Sequence, residues 1–240
     1  MLGKLFRPSG GLIYHWRAMR SRQQWSPFSN DLERWLTSWR EPGGKLILIG
    51  PSGGYTLPTD WLRGFAEIHA YDIDPLAAFF FNLRHRGVHA EFHNQDVFWR
   101  ERKLATSAIE TCVRSHPGAA FLFCNVLGQL PLEGQVSEAD LARFLQQMRA
   151  SLNGVSWASY HDLFTVEPLE DSFHWAAAND FRSGGDPRKS PPAAPKVEII
   201  DHLLEGRWCE GLDRARLAWS LNPNSLHLIE GVSANSVRTE

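Results

Sequence analysis

The residues best placed to do chemistry lie at the ends of apolar runs. Gly50-Pro51-Ser52-Gly53-Gly54 closes the run Lys45–Ile49, and about twenty residues later Asp72 and Asp74 close a second run over 68–71. Glycines in such a turn let backbone approach a ligand, and a carboxylate ending the second strand accepts hydrogen bonds from vicinal hydroxyls such as a ribose diol. Asp96 follows a short third run at 90–92, Asn125 ends a fourth at 119–124, and Tyr160-His161-Asp162 ends a fifth, 155–160. On a parallel sheet all of these fall on one rim, the carboxyl ends of the strands.

The elements that must position them can be read from hydrophobic period. Residues 1–29 show no clean periodicity, and Asn30-Asp31-Leu32-Glu33 predicts a capping box opening a helix with Leu32, Trp35, Leu36 and Trp39 on one face. A helix is expected in 55–65 with Leu57, Trp61, Leu62 and Phe65 inward and Pro58 in its first turn. Asp74 and Pro75 open the next, with Leu76, Phe79, Phe80 and Leu83 inward and Gly87 as its stop. Further helices are expected over 104–114 and from Ser137, the latter burying Leu141, Phe144, Leu145, Met148 and Leu152. The Pro- and Gly-rich segment about 165–200 reads as a lid-like insertion, and 216–221 with 225–229 as a terminal antiparallel hairpin around Asn222-Pro223-Asn224. Strands alternating with helices and closed by a hairpin define an α/β, doubly wound, mainly parallel sheet. The domain reading is 1–41, an N-terminal helical segment rich in aromatic and basic residues, then 42–240, the sheet domain.

The glycine turn admits three readings. Gly50-Pro51-Ser52-Gly53-Gly54 fits G-x-S-x-G, which would make Ser52 a hydrolase nucleophile, with Asp162 and His202 or His227 completing a triad. No convincing strand precedes it to supply an oxyanion donor, however. A dinucleotide site needs G-x-G-x-x-G, and here Ser52 and Tyr55 occupy two of the glycine places. The third reading accounts for more of the chain. Residues 46–54 resemble the first motif of class I S-adenosylmethionine-dependent methyltransferases. Tyr71-Asp72-Ile73-Asp74-Pro75 resembles the second, His93 to Phe98 the third, and Phe121 to Asn125 stands where the fourth ends its strand. The chain departs from that pattern at Leu48, where an acidic residue is usual, and at Ser52, which replaces the middle glycine and fits if its φ is negative.

The resemblance implies a seven-stranded Rossmann-like methyltransferase fold and S-adenosylmethionine as cofactor. Gly50, Ser52, Gly53 and Gly54 would meet its methionine moiety, Asp72 its ribose and Asp96 its adenine amino group. Arg17 or His15 would supply the recognition that Leu48 cannot. Asn125, helped by Gln129, offers a donor and an acceptor to a substrate heteroatom, and His161, oriented by Asp162, could take a proton from the attacking nucleophile. Both are the catalytic candidates. His174-Trp175 could close over substrate. The implied activity is methyl transfer to an oxygen or nitrogen of a small molecule or protein; a catalytically silent cofactor-binding domain is the alternative, kept open by Leu48 and Ser52.

Composition bounds the rest. The 240 residues carry a formal charge of −2, which argues against a nucleic-acid partner, although Lys4, Arg7, Arg17, Arg20, Arg22, Arg34 and Arg40 concentrate positive charge at the N-terminus. Cys112, Cys124 and Cys209 have no paired spacing and read as free thiols, there is no apolar run of membrane-spanning length, and a cytoplasmic protein is expected. His85, His89 and His93 are spaced like metal ligands, but Gly87 breaks the helix between them, and no metal is expected there.

Overall fold

The computed structural model describes residues 11–40, 43–132, 136–167, 171–189, 198–204 and 211–235, with side chains at 171–175 excepted. Lys4, Arg7, Cys209, the 190–197 stretch and the side chains of His174 and Trp175 lie outside the described residues. In chain order the elements are α1 (Gly11–Arg20), α2 (Arg22–Trp39), β1 (Lys45–Ile49), α3 (Thr59–Arg63), β2 (Glu67–Asp72), α4 (Ala77–Arg84), β3 (Glu91–Asn94), β4 (Trp99–Arg100), β5 (Lys103–Leu104), α5 (Ser107–Ser115), β6 (Ala120–Cys124), α6 (Glu138–Ser151), β7 (Ser156–Glu167), α7 (Asp171–Arg182), β8 (Glu198–Asp201), β9 (Asp213–Asn222) and β10 (Ser225–Ala234).

The main sheet runs in the order β3-β2-β1-β6-β7-β10-β9. Strands β3 to β7 pair in parallel, and β10 and β9 are antiparallel. The chain winds outward from β1 to β3, then returns to β6 on the other side of β1, so the carboxyl ends of β1 and β6 form the switch point where such sheets open a crevice. An eighth strand, β8, pairs with the far half of β7. The expected seven-stranded sheet is thus extended by one strand, drawn from the supposed insertion. The same insertion supplies the end of β7 and α7, whose Phe181 is buried; the Phe181 carbonyl and that of Gly185 just beyond α7 accept from the Arg216 guanidinium.

Strand β1 is apolar throughout because both faces are covered. Ile47 and Ile49 join the core beneath α5 and α6, and Leu46 and Leu48 join the core beneath α2, α3 and α4. Ser137 caps α6, its hydroxyl accepting from the Asp140 amide at 3.1 Å, and all five of the expected inward residues are buried.

Three helix expectations are corrected. Helix α2 begins at Arg22 and runs straight through Asn30, so no cap forms there. Pro27 lies inside it and cannot donate to the Gln23 carbonyl; the Ser26 hydroxyl donates to that oxygen instead, at 2.8 Å. The stripe therefore starts earlier, with Trp25 and Phe28 preceding Leu32. The Trp25 indole donates to the Leu221 carbonyl, and Phe28 stacks on Trp219 at 5.0 Å. In α4 the buried residues are Ala77 and Phe81, not Phe79 and Leu83, which are 64% and 50% exposed. Ala77, Phe81 and His85, four residues apart, form the buried face, because Phe81 and His85 close over Gly54 of the glycine turn. Finally, α5 starts at Ser107, and Leu104 pairs in the β4–β5 hairpin. No helix among the described residues is long and apolar enough to cross a membrane.

Phe28→Ala is expected to cost about 3–5 kcal/mol in urea unfolding, and Phe79→Ala to stay within about 0.5 kcal/mol of wild type. Equal costs would show that the α4 register is wrong.

Candidate functional site

A cavity of about 440 Å³ opens at the switch point. That volume lies within the range of small-molecule sites. Its walls are α1, the glycine turn, the ends of β2 and β3, the 124–132 segment after β6, and side chains from β7, β9 and β10.

The glycine turn is fixed by close approach. Gly50 has φ +66°, and a Cβ there would stand 2.0 Å from Val126 Cγ1 on the neighbouring crossover. Ser52 is left-handed, with φ +50°, and not at the negative φ expected of a serine in a glycine position. That conformation directs its amide to Asp72 Oδ2, at 2.7 Å, while its buried hydroxyl finds no hydrogen-bond partner among the described residues. Gly50 and Ser52 line the cavity, but Gly53 and Gly54 do not. Gly54, at φ +65°, is instead pressed beneath Phe81 and His85, and its carbonyl accepts from His85 Nε2. These two glycines serve packing, which corrects their expected ligand contact. Burial pushes the His85 pKa down to about 4, so the ring is neutral at pH 7.

Asp72 is the buried carboxylate of the site. Its Oδ1 accepts from the Asp74 amide at 2.8 Å and its Oδ2 from Ser52. Burial nevertheless outweighs these two bonds and raises its pKa to about 6. Asp96 also lines the cavity and accepts from the Phe98 and Trp99 amides, each at 3.0 Å.

Helix α1 is tied across this end. Asp74 Oδ2 accepts from the Gly11 amide at 2.8 Å and from His15 Nε2 at 3.1 Å, and Oδ1 accepts from the Leu76 amide. His15 Nδ1 is 2.8 Å from the Tyr55 hydroxyl, and its ring stacks on Phe80 at 4.0 Å. His15 is thus engaged as a strut, whereas Tyr14 and Arg17, one residue before and two after, line the cavity.

At the far end the sequence candidates are rearranged. His161 is fully buried beside Ser159 and Glu230, at 3.0 and 3.7 Å, and does not line the cavity. Strand alternation is the reason: 161 faces away from the side shared by 160 and 162. Asn125, left-handed at φ +54°, lines the cavity but uses its amide on β7. Its Oδ1 accepts from the Asp162 amide at 2.9 Å, and its Nδ2 donates to Asp162 Oδ2 at 3.1 Å. Gln129 Nε2 donates to the same oxygen at 2.8 Å. Asn125 and Gln129 are therefore positioning residues for Asp162.

The remaining Asp162 oxygen, Oδ1, is 2.7 Å from His227 Nδ1 on β10. Burial opposes charge on both groups, yet their mutual attraction prevails. The Asp162 pKa is lowered below the usual carboxylate range and the His227 pKa is raised above the usual imidazole value. With Nδ1 committed to Asp162, Nε2 is the nitrogen that can serve a ligand, and His227 lines the cavity. A bulge between Leu228 and Ile229 leaves Leu163 without a register partner, between the Asp162–Ile229 and Phe164–Leu228 pairings. Sequence reading met His227 only as a possible partner of Ser52; the β10–β7 register that brings it to Asp162 has no local signal. No serine triad forms. Strands β1 and β10 are three spacings apart, about 14 Å at about 4.8 Å each.

No protein-family model and no curated protein matches this sequence. Among solved structures, the chain is similar to magnesium protoporphyrin IX methyltransferase (ChlM) from Synechocystis PCC 6803 with bound SAH, at 12% identity and TM-score 0.46, covering 94% of this chain and 90% of that one. It is similar to N-methyltransferase NodS from Bradyrhizobium japonicum WM9 in complex with S-adenosyl-L-homocysteine, at 14% identity and TM-score 0.43, covering 85% and 84%. A S-adenosylmethionine-dependent methyltransferase from Clostridium acetobutylicum ATCC 824 aligns over 60% of this chain at 11% identity and TM-score 0.37; there the chain spans about half of the other's length, 53%. Likeness of this degree carries no argument about chemistry, which rests on the residues described above.

Asp162→Asn is expected to lower the His227 pKa, because the attraction that raises it is removed, read from the pH titration of its imidazole signals in NMR. An unchanged His227 titration would contradict the pairing.

Proposed function

We propose that the protein binds S-adenosylmethionine and transfers its methyl group to an oxygen or nitrogen of a small molecule or protein side chain. The observation that carries this reading is one continuous cavity, at the switch point of the sheet, joining the glycine turn and buried Asp72 at one end to the Asp162–His227 pair at the other. The cofactor supplies an electrophilic methyl group for in-line displacement. In this reading Asp72 accepts from the ribose hydroxyls, the Gly50–Ser52 backbone faces the methionine moiety, Asp96 meets the adenine amino group and Arg17 takes the place left by Leu48.

The residues fit that ligand on their own evidence. Burial raises the Asp72 pKa despite two backbone donors, and two further hydroxyl donors would stabilise its charged form. The orphaned Ser52 hydroxyl sits in the same wall. At the acceptor end His227 Nε2 takes the proton that the nucleophile must lose, and Asp162 stabilises the resulting imidazolium. Holding the acceptor in line is the larger share of the work. His227 replaces His161 as the base because it alone of the two reaches the cavity. The base must be unprotonated, so turnover should rise with pH through a pKa above about 6.5.

The test is calorimetric titration with S-adenosylhomocysteine. Wild type should bind in the micromolar range at pH 7.5, and Asp72→Ala should weaken binding at least tenfold while remaining folded. Binding needs ionised Asp72, so affinity should fall as pH drops below about 6, with proton release on binding near that pH. Absence of binding by folded wild type, or full affinity in Asp72→Ala, would overturn the assignment.

A further inference from the structure

We infer that the protein carries a divalent transition-metal site, of the kind filled by zinc, formed by His69, Glu91 and His93 at the β2–β3 edge of the sheet. The histidine spacing singled out in the sequence does not produce it. His85 is consumed by Gly54 and Thr59, and His93 instead faces a residue from the neighbouring strand. Parallel register creates the cluster: His69 pairs with Glu91 and Tyr71 with His93, and the period of two sends all four side chains to one face.

The geometry is that of converging ligands. His69 Nδ1 and His93 Nε2 are 3.2 Å apart. Glu91 straddles them, with Oε2 3.5 Å from the first nitrogen and Oε1 3.6 Å from the second. One donor atom from each of the three residues can be chosen so that all lie within 4.8 Å of one another. Zinc bonds of about 2.0–2.2 Å in a tetrahedron place neighbouring ligand atoms about 3.3–3.6 Å apart. Two imidazoles and one carboxylate are a common donor set for such ions.

The outer shell supports the same assignment. His69 Nε2 donates to Glu67 Oε1 at 2.6 Å, which fixes the tautomer that leaves Nδ1 a lone pair. Lys45 holds Glu67 from the other side at 3.0 Å. Tyr71 stacks on the His93 ring at 4.5 Å, limiting its rotation. His69 is buried, His93 is half-buried and Glu91 is exposed, so the cluster has a protein floor and a solvent-facing side. The role this implies is structural. Edge strand β3 has only four residues and leads directly into Asp96 of the cavity wall, and Asn94 Nδ2 donates to the Asp72 carbonyl at 3.1 Å. A metal joining His69 to His93 and Glu91 would clamp β3 to β2.

The experiment is a zinc titration of tag-free, metal-stripped protein against a chromophoric chelator, with cobalt absorption and thermal unfolding alongside. The proposal predicts one equivalent per chain, intense visible cobalt bands of tetrahedral type and a higher Tm with zinc. His93→Ala should weaken zinc at least 100-fold, and Glu67→Gln, outside the ligand set and half-exposed, about 10–100-fold. Failure of wild type to bind stoichiometric zinc, or equal affinity in wild type and both folded variants, would overturn it and leave a plain histidine–histidine hydrogen bond. Neither result depends on S-adenosylhomocysteine binding.

Discussion

The contact on which the rest of the site depends is the hydrogen bond from the Ser52 amide to the Asp72 carboxylate. It joins the turn after β1 to the end of β2, and it exists because Ser52 accepts a left-handed backbone. Such a conformation costs an L-residue about 1–2 kcal/mol, so the turn is held by its surroundings, among them Val126 closing over Gly50. Two residues on, Asp74 extends the arrangement to α1 through Gly11 and His15. One short acidic loop thus organises the floor and the roof of the same cavity.

Two buried carboxylates, Asp72 in the cavity wall and Asp162 paired to the cavity-lining His227, shift in opposite directions. Asp72 has only neutral backbone donors, and burial wins. Asp162 has an imidazole beside it, and attraction to His227, with donors from Asn125 and Gln129, wins over burial. An under-satisfied carboxylate is suited to receive a hydroxyl-bearing ligand. A carboxylate already satisfied by a histidine is suited to hold that histidine as a base. In the proposed function these two ends divide the work of group transfer, one holding the donor and the other taking a proton from the acceptor.

Much of the sheet was legible in the sequence because buried parallel strands are continuous apolar runs, and Lys45–Ile49 is delimited as expected. Ser137 and the stripe through Leu152 likewise carry local signals that the structure keeps. The early part of α2 was hidden by Pro27, whose missing bond is compensated by a side chain one residue away. The face of α4 was misjudged because Phe79 and Leu83 are as apolar as Phe81, and only the closure of Phe81 over Gly54 separates them. Asp72, which ends β2, and Asp96, two residues past β3, line the cavity because the carboxyl ends of parallel strands share one rim. His227 was not assigned to Asp162 because that pairing depends on strand register and a bulge, and the face reached by His161 depends on strand alternation around a long β7. The His69–Glu91–His93 cluster is invisible for the same reason: its members meet only across strands.

The most direct test of the account is a crystal structure of the protein grown with S-adenosylhomocysteine. The ribose hydroxyls are expected on Asp72, the adenine beside Asp96, and the sulfur directed along the cavity toward His227. A ligand bound elsewhere, or one whose ribose lies away from Asp72, would contradict it.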